Sequence, residues 1–320
     1  MEHETKMIDN NKETQSPINN KNTLKPFLKC EDFTVSKETF TLLKDVKSEL
    51  LITHPQPELD KLSSYYESEN YISHTDSKKT FFDRIYQKVK NYAIKNKVKL
   101  IQKTKNLKNK TETFANNILD IGCGTGDFLT ACKNQNWNVV GVEPNKKARV
   151  LAKSKLEILT SNFNNFENQY PKIHETINSV EEQFDVITMW HVLEHVPNLE
   201  QYITQLNQML KPNGTLIIAV PNHKSYDAKY YGKFWAAYDV PRHLWHFSQK
   251  SIKLLFAKEN MKVIQTLPMK LDSFYVSLLS EKYKKGKSRP IKAFFVGLKS
   301  NMKALRTKEY SSLIYVLKKS

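Results

Sequence analysis

Three glycines, Gly122, Gly124 and Gly126, fall within five residues of a chain that holds only eight. They follow the apolar run from Ile118 to Ile121 and precede Asp127 and Phe128, which is where a buried strand turns into a helix. Glycines at such a turn allow positive φ and let a ligand lie against bare backbone. Two carboxylates frame the loop. Asp120 lies inside the apolar strand, where it can reach the loop amides or the cationic end of a ligand. Glu143 ends the next apolar run, from Val139 to Val142, where a carboxylate can accept both ribose hydroxyls of a nucleoside. A dinucleotide fingerprint would place its third turn glycine at position 127. Asp127 stands there instead, and its charge is unwelcome beside a pyrophosphate but welcome beside an ammonium or sulfonium. These residues argue against a nicotinamide dehydrogenase and favour a nucleoside ligand with a positive centre.

Histidines concentrate in two further segments. The first is Trp190-His191-Val192-Leu193-Glu194-His195, after the apolar run from Phe184 to Met189. Its His-x-x-Glu-His order would need a distant third ligand to hold a metal, so no metal is expected. The second is Tyr238-Asp239-Val240-Pro241-Arg242-His243-Leu244-Trp245-His246, in which His243 or His246 could act as a general base.

Positioning these groups requires strands that alternate with helices. Apolar runs at Ile118–Ile121, Val139–Val142, Phe184–Met189, Leu216–Val220 and residues 262–267 read as strands, and Leu313–Leu317 as a last one. Helices are expected at residues 128–134, 146–153, 199–210 and 249–258, the last capped by Ser248. Alternation of this kind predicts an α/β fold with a doubly wound parallel sheet.

The glycine run with its strand, Leu119-Asp120-Ile121-Gly122-Cys123-Gly124-Thr125-Gly126, resembles motif I of class I S-adenosylmethionine-dependent methyltransferases. Phe184-Asp185-Val186-Ile187 is similar to that family's fourth strand, and Leu210-Lys211-Pro212-Asn213-Gly214-Thr215-Leu216 to the turn into its fifth. The resemblance covers roughly residues 115–267 and the final strand. It implies a Rossmann-like, mostly parallel seven-stranded sheet whose last strand runs antiparallel. It further implies that S-adenosylmethionine lies on Asp120, Gly122, Gly124, Gly126 and Glu143, with Trp190 beside it. Many members carry an acid after the third strand for the adenine amine; here Asn162 would have to supply an acceptor. The Glu194-His195 and Arg242-His243 segments look like a small-molecule subgroup that includes ubiquinone-type O-methyltransferases. There His191 would face the substrate or cofactor. The resemblance therefore implies methyl transfer to a small, lipid-like or aromatic acceptor. Methylation of RNA or protein, or cofactor binding without catalysis, are the competing readings.

The remaining chain divides by composition. Residues 1–30 are polar and expected to be disordered. Residues 31–110 read as a mostly helical N-terminal extension, and residues 111–320 as the cofactor-binding domain with a helical insert at 270–309. The net charge of +17 comes almost wholly from lysine, with arginine only at positions 84, 149, 242, 289 and 306. Lysine-dense stretches at 88–110 and 282–289 could bind nucleic-acid phosphates, although solvated helix faces are the preferred reading. The insert is expected to be a packed helical cover that roofs the active site, with peripheral contact to an anionic membrane as the alternative. No window is apolar enough to span a membrane, and the N-terminus lacks the apolar segment of a signal peptide. Cys30, Cys123 and Cys132 fit neither a disulfide framework nor a zinc site. A cytoplasmic enzyme is the expectation.

Overall fold

A computed structural model describes residues 14–66, 81–105, 116–157, 165–166 and 183–320. The N-terminal part is built of strands. β1 (Leu24–Glu31), β2 (Thr39–Asp45) and β3 (Leu51–His54) form an antiparallel meander. Asp32 closes the first turn by accepting the amides of Thr34, Val35 and Ser36. Asp45 closes the second through the amides of Lys47 and Ser48. Both are side-chain-to-backbone turns of the kind aspartate favours. This corrects one expectation: residues 24–30 belong to a strand rather than a disordered tail. After α1 (Leu59–Leu62), the long helix α2 (Phe81–Lys105) is the main helical element of the extension.

The larger sheet follows. β4 (Asn116–Ile121), α3 (Asp127–Lys133), β5 (Trp137–Val142), α4 (Lys146–Glu157) and the short β6 (Asn165–Phe166) make one half. β7 (Phe184–Trp190), α5 (Leu199–Met209) and β8 (Leu210–Pro221) begin the other. After α6 (Tyr226–Tyr231) and the two-residue β9 (Trp245–His246) come α7 (Gln249–Ala257) and β10 (Met261–Pro268). The insert is a helix pair, α8 (Asp272–Lys285) and α9 (Pro290–Thr307), and β11 (Ser312–Lys319) ends the chain. Strand order is β10-β11-β8-β7-β4-β5-β6, with only β11 antiparallel to its neighbours. The doubly wound, Rossmann-like sheet with an antiparallel last strand is thus observed. Its order reverses at β4, so the carboxyl ends of β4 and β7 open a crevice, the usual ligand position in such sheets.

Of the three apolar cores among the described residues, two bear most on the site. One packs the central strands against α5 and α7, with Phe184, Ile187, Leu206, Ile218 and Phe256 fully buried. The other joins the small sheet (Phe40, Leu42, Leu51) to Trp235 and Tyr238 and to Val276 and Val296 of the insert. β9 pairs with β3, so the second histidine segment is an edge strand of the N-terminal sheet. Ser248 caps α7 in a reciprocal capping box with Ser251.

Candidate active site

The loop after β4 adopts the backbone that its glycines permit, with φ of 76° at Gly122, 55° at Gly124 and 78° at Gly126. The amides of Gly122 and Cys123 both donate to the carbonyl of Val142, locking the loop to the end of β5. Glu143 completes the joint. Its Oε2 accepts from the Gly124 amide and its Oε1 from the Asn145 amide, each at 2.8 Å. Burial raises the Glu143 pKa against these hydrogen bonds and the charge of Arg149. A carboxylate has about four lone-pair sites, so two remain for ligand hydroxyls. A side chain at Gly126 would strike Ala152 at 3.0 Å, but one at Gly124 would meet nothing within 4 Å. The space over Gly124 is where a ligand can lie against the backbone.

Asp120 is buried, and its Oδ1 accepts a 2.6 Å hydrogen bond from Thr188 of β7. Burial pushes its pKa up to about 7, opposed by Thr188 and Lys97 and aided by Glu143. Lys97, from α2, sets its ammonium 4.2 Å from the ring centroid of Trp190. Asp120 and Asp272 support that charge, although burial outweighs them and lowers the Lys97 pKa. The indole of Trp190 also meets Phe128 edge-on at 5.7 Å, and its buried Nε1 has no hydrogen-bond partner. The crevice is therefore already shaped for a cation beside an aromatic face and a carboxyl group. Asp127, expected to face a ligand's positive end, instead pairs with Lys155 at 2.6 Å and Lys90 at 2.7 Å.

His191 has φ of 59°, an uncommon backbone state for a residue with a side chain. Its amide is held by the carbonyl of Ala219. Nε2 lies 3.0 Å from Asp272 Oδ2, and Nδ1 3.4 Å from Glu194 Oε1. Burial opposes its charge, but the two carboxylates prevail and raise its pKa to about 10. His191 is thus an imidazolium at neutral pH and has no free base to offer, contrary to a catalytic proton-accepting role. Asp272 comes from the insert, a partner that sequence spacing could not supply.

Glu194, His195 and His243 converge behind it, with ligand-capable atoms within 4.8 Å of one another. His195 Nδ1 lies 3.0 Å from the Arg242 carbonyl and 2.9 Å from Tyr66 Oη; His243 Nδ1 lies 2.9 Å from the Ala237 carbonyl. A carbonyl only accepts, so both rings carry the proton on Nδ1 and leave Nε2 as the basic nitrogen. Burial and His243 lower the His195 pKa to about 4. The Glu194 carboxylate is 1 % exposed, and neither oxygen accepts a hydrogen bond. No metal was expected for want of a third ligand; His243, brought in by the β9 segment, provides one.

His246 stands apart from this chemistry. Its Nε2 bonds Thr53 Oγ1 at 3.0 Å, and Thr53 donates its own proton to the His243 carbonyl at 2.6 Å. Burial, with His243 and His223, lowers its pKa well below the ordinary value. It pins β9 to β3. Asn162 lies outside the described residues. Arg242 is a buried clamp, held bidentately by Asp239 and bonded to Asp32 at 3.0 Å and to the Tyr65 carbonyl at 2.9 Å. It ties the histidine segment to the N-terminal sheet.

A family model described as "Methyltransferase domain" matches residues 79–266, more than half of the chain. The chain belongs to this methyltransferase family. Among curated relatives, the ubiquinone biosynthesis O-methyltransferase of Rickettsia typhi is 33 % identical over 107 residues, 33 % of this chain and 41 % of that protein. The mitochondrial ubiquinone biosynthesis O-methyltransferase of Rattus norvegicus is 35 % identical over 108 residues, 33 % of this chain and 30 % of that protein. The chain thus spans less than half the length of these relatives. A solved structure from Galdieria sulphuraria, named for sarcosine and dimethylglycine methyl transfer, shares the fold at a TM-score of 0.50. It is 13 % identical and covers 73 % of this chain and 88 % of its own.

Proposed function

We propose that this methyltransferase-family chain binds S-adenosylmethionine across the glycine loop and methylates a hydroxyl of a small, lipid-like or aromatic acceptor. The observation that carries the reading is Glu143, oriented by two backbone amides beside the open face of Gly124. The relatives named for ubiquinone biosynthesis O-methyl transfer support a hydroxyl acceptor. The group fits the residues present: Glu143 has lone pairs for ribose hydroxyls and Gly124 has room. S-adenosylmethionine supplies a methyl carbon activated by its sulfonium. The chain's task is then alignment and exclusion of water. His243 Nε2 takes the proton that the acceptor hydroxyl loses as the new carbon–oxygen bond forms and the sulfur–carbon bond breaks. His191, fixed as a cation by Asp272 and Glu194, closes the crevice at the insert side.

A second reading of the same cluster rests on the buried Glu194 carboxylate, whose Oε1 has only the 3.4 Å ion pair with His191 and whose Oε2 accepts no hydrogen bond. Two imidazole nitrogens and a carboxylate suit a borderline divalent ion such as Mn²⁺ or Zn²⁺. Their Nδ1–H bonds to backbone carbonyls would orient both rings for it. Isotope-labelled methyl transfer to a polyprenyl catechol separates the readings. Label in a methyl ether, lost in His243→Ala and unaffected by a chelator, supports His243 acting alone. Loss on chelation and recovery with Mn²⁺ or Zn²⁺ supports the ion. No label in any hydroxyl acceptor, from protein that binds S-adenosylmethionine, would contradict O-methylation.

A further inference from the structure

Helix α9 inverts the usual arrangement of a surface helix. The face it buries is small: Ala293, Val296, Gly297, Ser300 and Ala304. A side chain at Gly297 would lie 2.9 Å from the Phe274 ring and 3.0 Å from backbone, so the small face is what lets the helices approach. The large apolar residues point the other way. Ile291, Phe294, Phe295, Leu298, Met302 and Leu305 are exposed, between 38 % and 75 %. At 3.6 residues per turn these six fall within an arc of about 100°, opposite the buried face. The stripe continues onto α8, where Leu271 and Tyr275 are exposed and Phe274 stacks on Phe294 at 5.4 Å.

Charge accompanies the stripe. From Lys282 to Lys308 there are ten lysines and arginines and no acidic residue. Lys292, Lys299 and Lys303 line one flank of the apolar arc. Lys299 and Lys303 lie over the Tyr226 ring at 5.4 and 4.7 Å, and Lys292 lies 5.9 Å from Tyr230. A partner helix or a small ligand would explain the apolar stripe but not a run from Lys282 to Lys308 without an acid, in which, among the described residues, only Lys292 reaches a carboxylate, the buried Glu281 at 3.8 Å. A surface that is apolar beneath and anionic above explains both. We infer that α9 lies in the headgroup region of an anionic lipid bilayer, its phenylalanines among the acyl chains and its lysines among the phosphates. No helix among the described residues is long and apolar enough to cross a membrane; this one is built to lie on its surface. Asp272, in the first turn of α8 between exposed Leu271 and Tyr275, contacts His191. The bilayer would therefore border the insert side of the active-site crevice. The inference stands independently of the methyl acceptor.

The test is flotation of the full chain with phosphatidylcholine vesicles, with and without phosphatidylglycerol, at low and high salt. Anionic vesicles are expected to retain it about tenfold or more over neutral ones, with high salt weakening retention. Phe294→Ser with Phe295→Ser, and separately Lys292→Gln with Lys299→Gln and Lys303→Gln, should each reduce retention about tenfold. The altered side chains are exposed or flanking, and unchanged thermal unfolding of each variant confirms that the fold persists. A Phe295→Trp chain should shift its emission to shorter wavelength on anionic vesicles. Equal retention on both vesicle types, or retention indifferent to the phenylalanines, overturns the inference. So does a dimer that the phenylalanine variant dissociates and vesicles do not, which would give the face to a second copy.

Discussion

His191 illustrates how one side chain changes meaning once its neighbours are known. Its place after β7 suggested contact with substrate or cofactor, but Asp272 and Glu194 hold it charged. Because its pKa is raised to about 10, the stability it contributes is full below the ordinary histidine pKa of about 6.5. That stability is lost as pH rises through about 10. Nitrogen chemical shifts should show His191 protonated throughout the neutral range, and Asp272→Asn should bring its titration down toward neutrality. A neutral His191 in the unaltered protein would refute its assignment as a cation. Arg242 is the second case. It is buried among Asp239, Asp32 and backbone, so Arg242→Ala strands buried carboxylates and should cost about 3–5 kcal/mol in denaturant unfolding. Asp32 is held well below the usual carboxylate range: burial opposes its charge, but Arg242 and the turn amides outweigh it. Its contribution is therefore complete above about pH 4 and lost as pH falls further. Asp32→Asn should flatten the acid limb of the stability curve, and an unchanged limb would contradict this.

At the scale of elements, the glycine loop separates two uses of the same residue. Gly126→Ala meets both a positive φ and Ala152 at 3.0 Å, and should destabilise the chain by about 2 kcal/mol or more. Gly124→Ala meets only the positive φ, at about 1 kcal/mol, but places a methyl group where the ligand should lie. Thermal unfolding paired with ligand titration should show stability lost mainly at Gly126 and affinity mainly at Gly124. The strands, the loop and Glu143 were legible in the sequence because each depends on a local pattern: an apolar run, a glycine turn, a carboxylate at a strand end. The N-terminal meander also has a local signal, the alternation of buried Phe40 and Leu42 with more exposed Thr39, Thr41 and Leu43. It is short, and Leu42-Leu43 breaks the period, so a helix competed for it. The turns that decide the matter are made by Asp32 and Asp45, whose bonds to later amides are not visible as a pattern.

At the scale of the molecule, the site draws on regions that no sequence window spans. Tyr66 from the extension, Asp272 from the insert and His243 from the segment before β9 meet around His191 and His195. The sequence could nominate His191 and His243, but it could not show that one is clamped between Asp272 and Glu194 while the other sets Nε2 4.0 Å from Asp239. It also could not show that His246, three residues further on, is spent on Thr53. Long-range pairing of this kind is set by the small sheet and the insert, which close over the crevice from opposite ends of the chain. The proposal that this crevice binds S-adenosylmethionine through Glu143 can be checked by calorimetric titration with S-adenosylmethionine and with NADH, repeated on Glu143→Ala. The expected result is micromolar binding of the first compound alone, weakened at least about tenfold in the variant, a difference of about 1.4 kcal/mol. A folded protein that binds no S-adenosylmethionine, or binds it equally well without the Glu143 carboxylate, would contradict it.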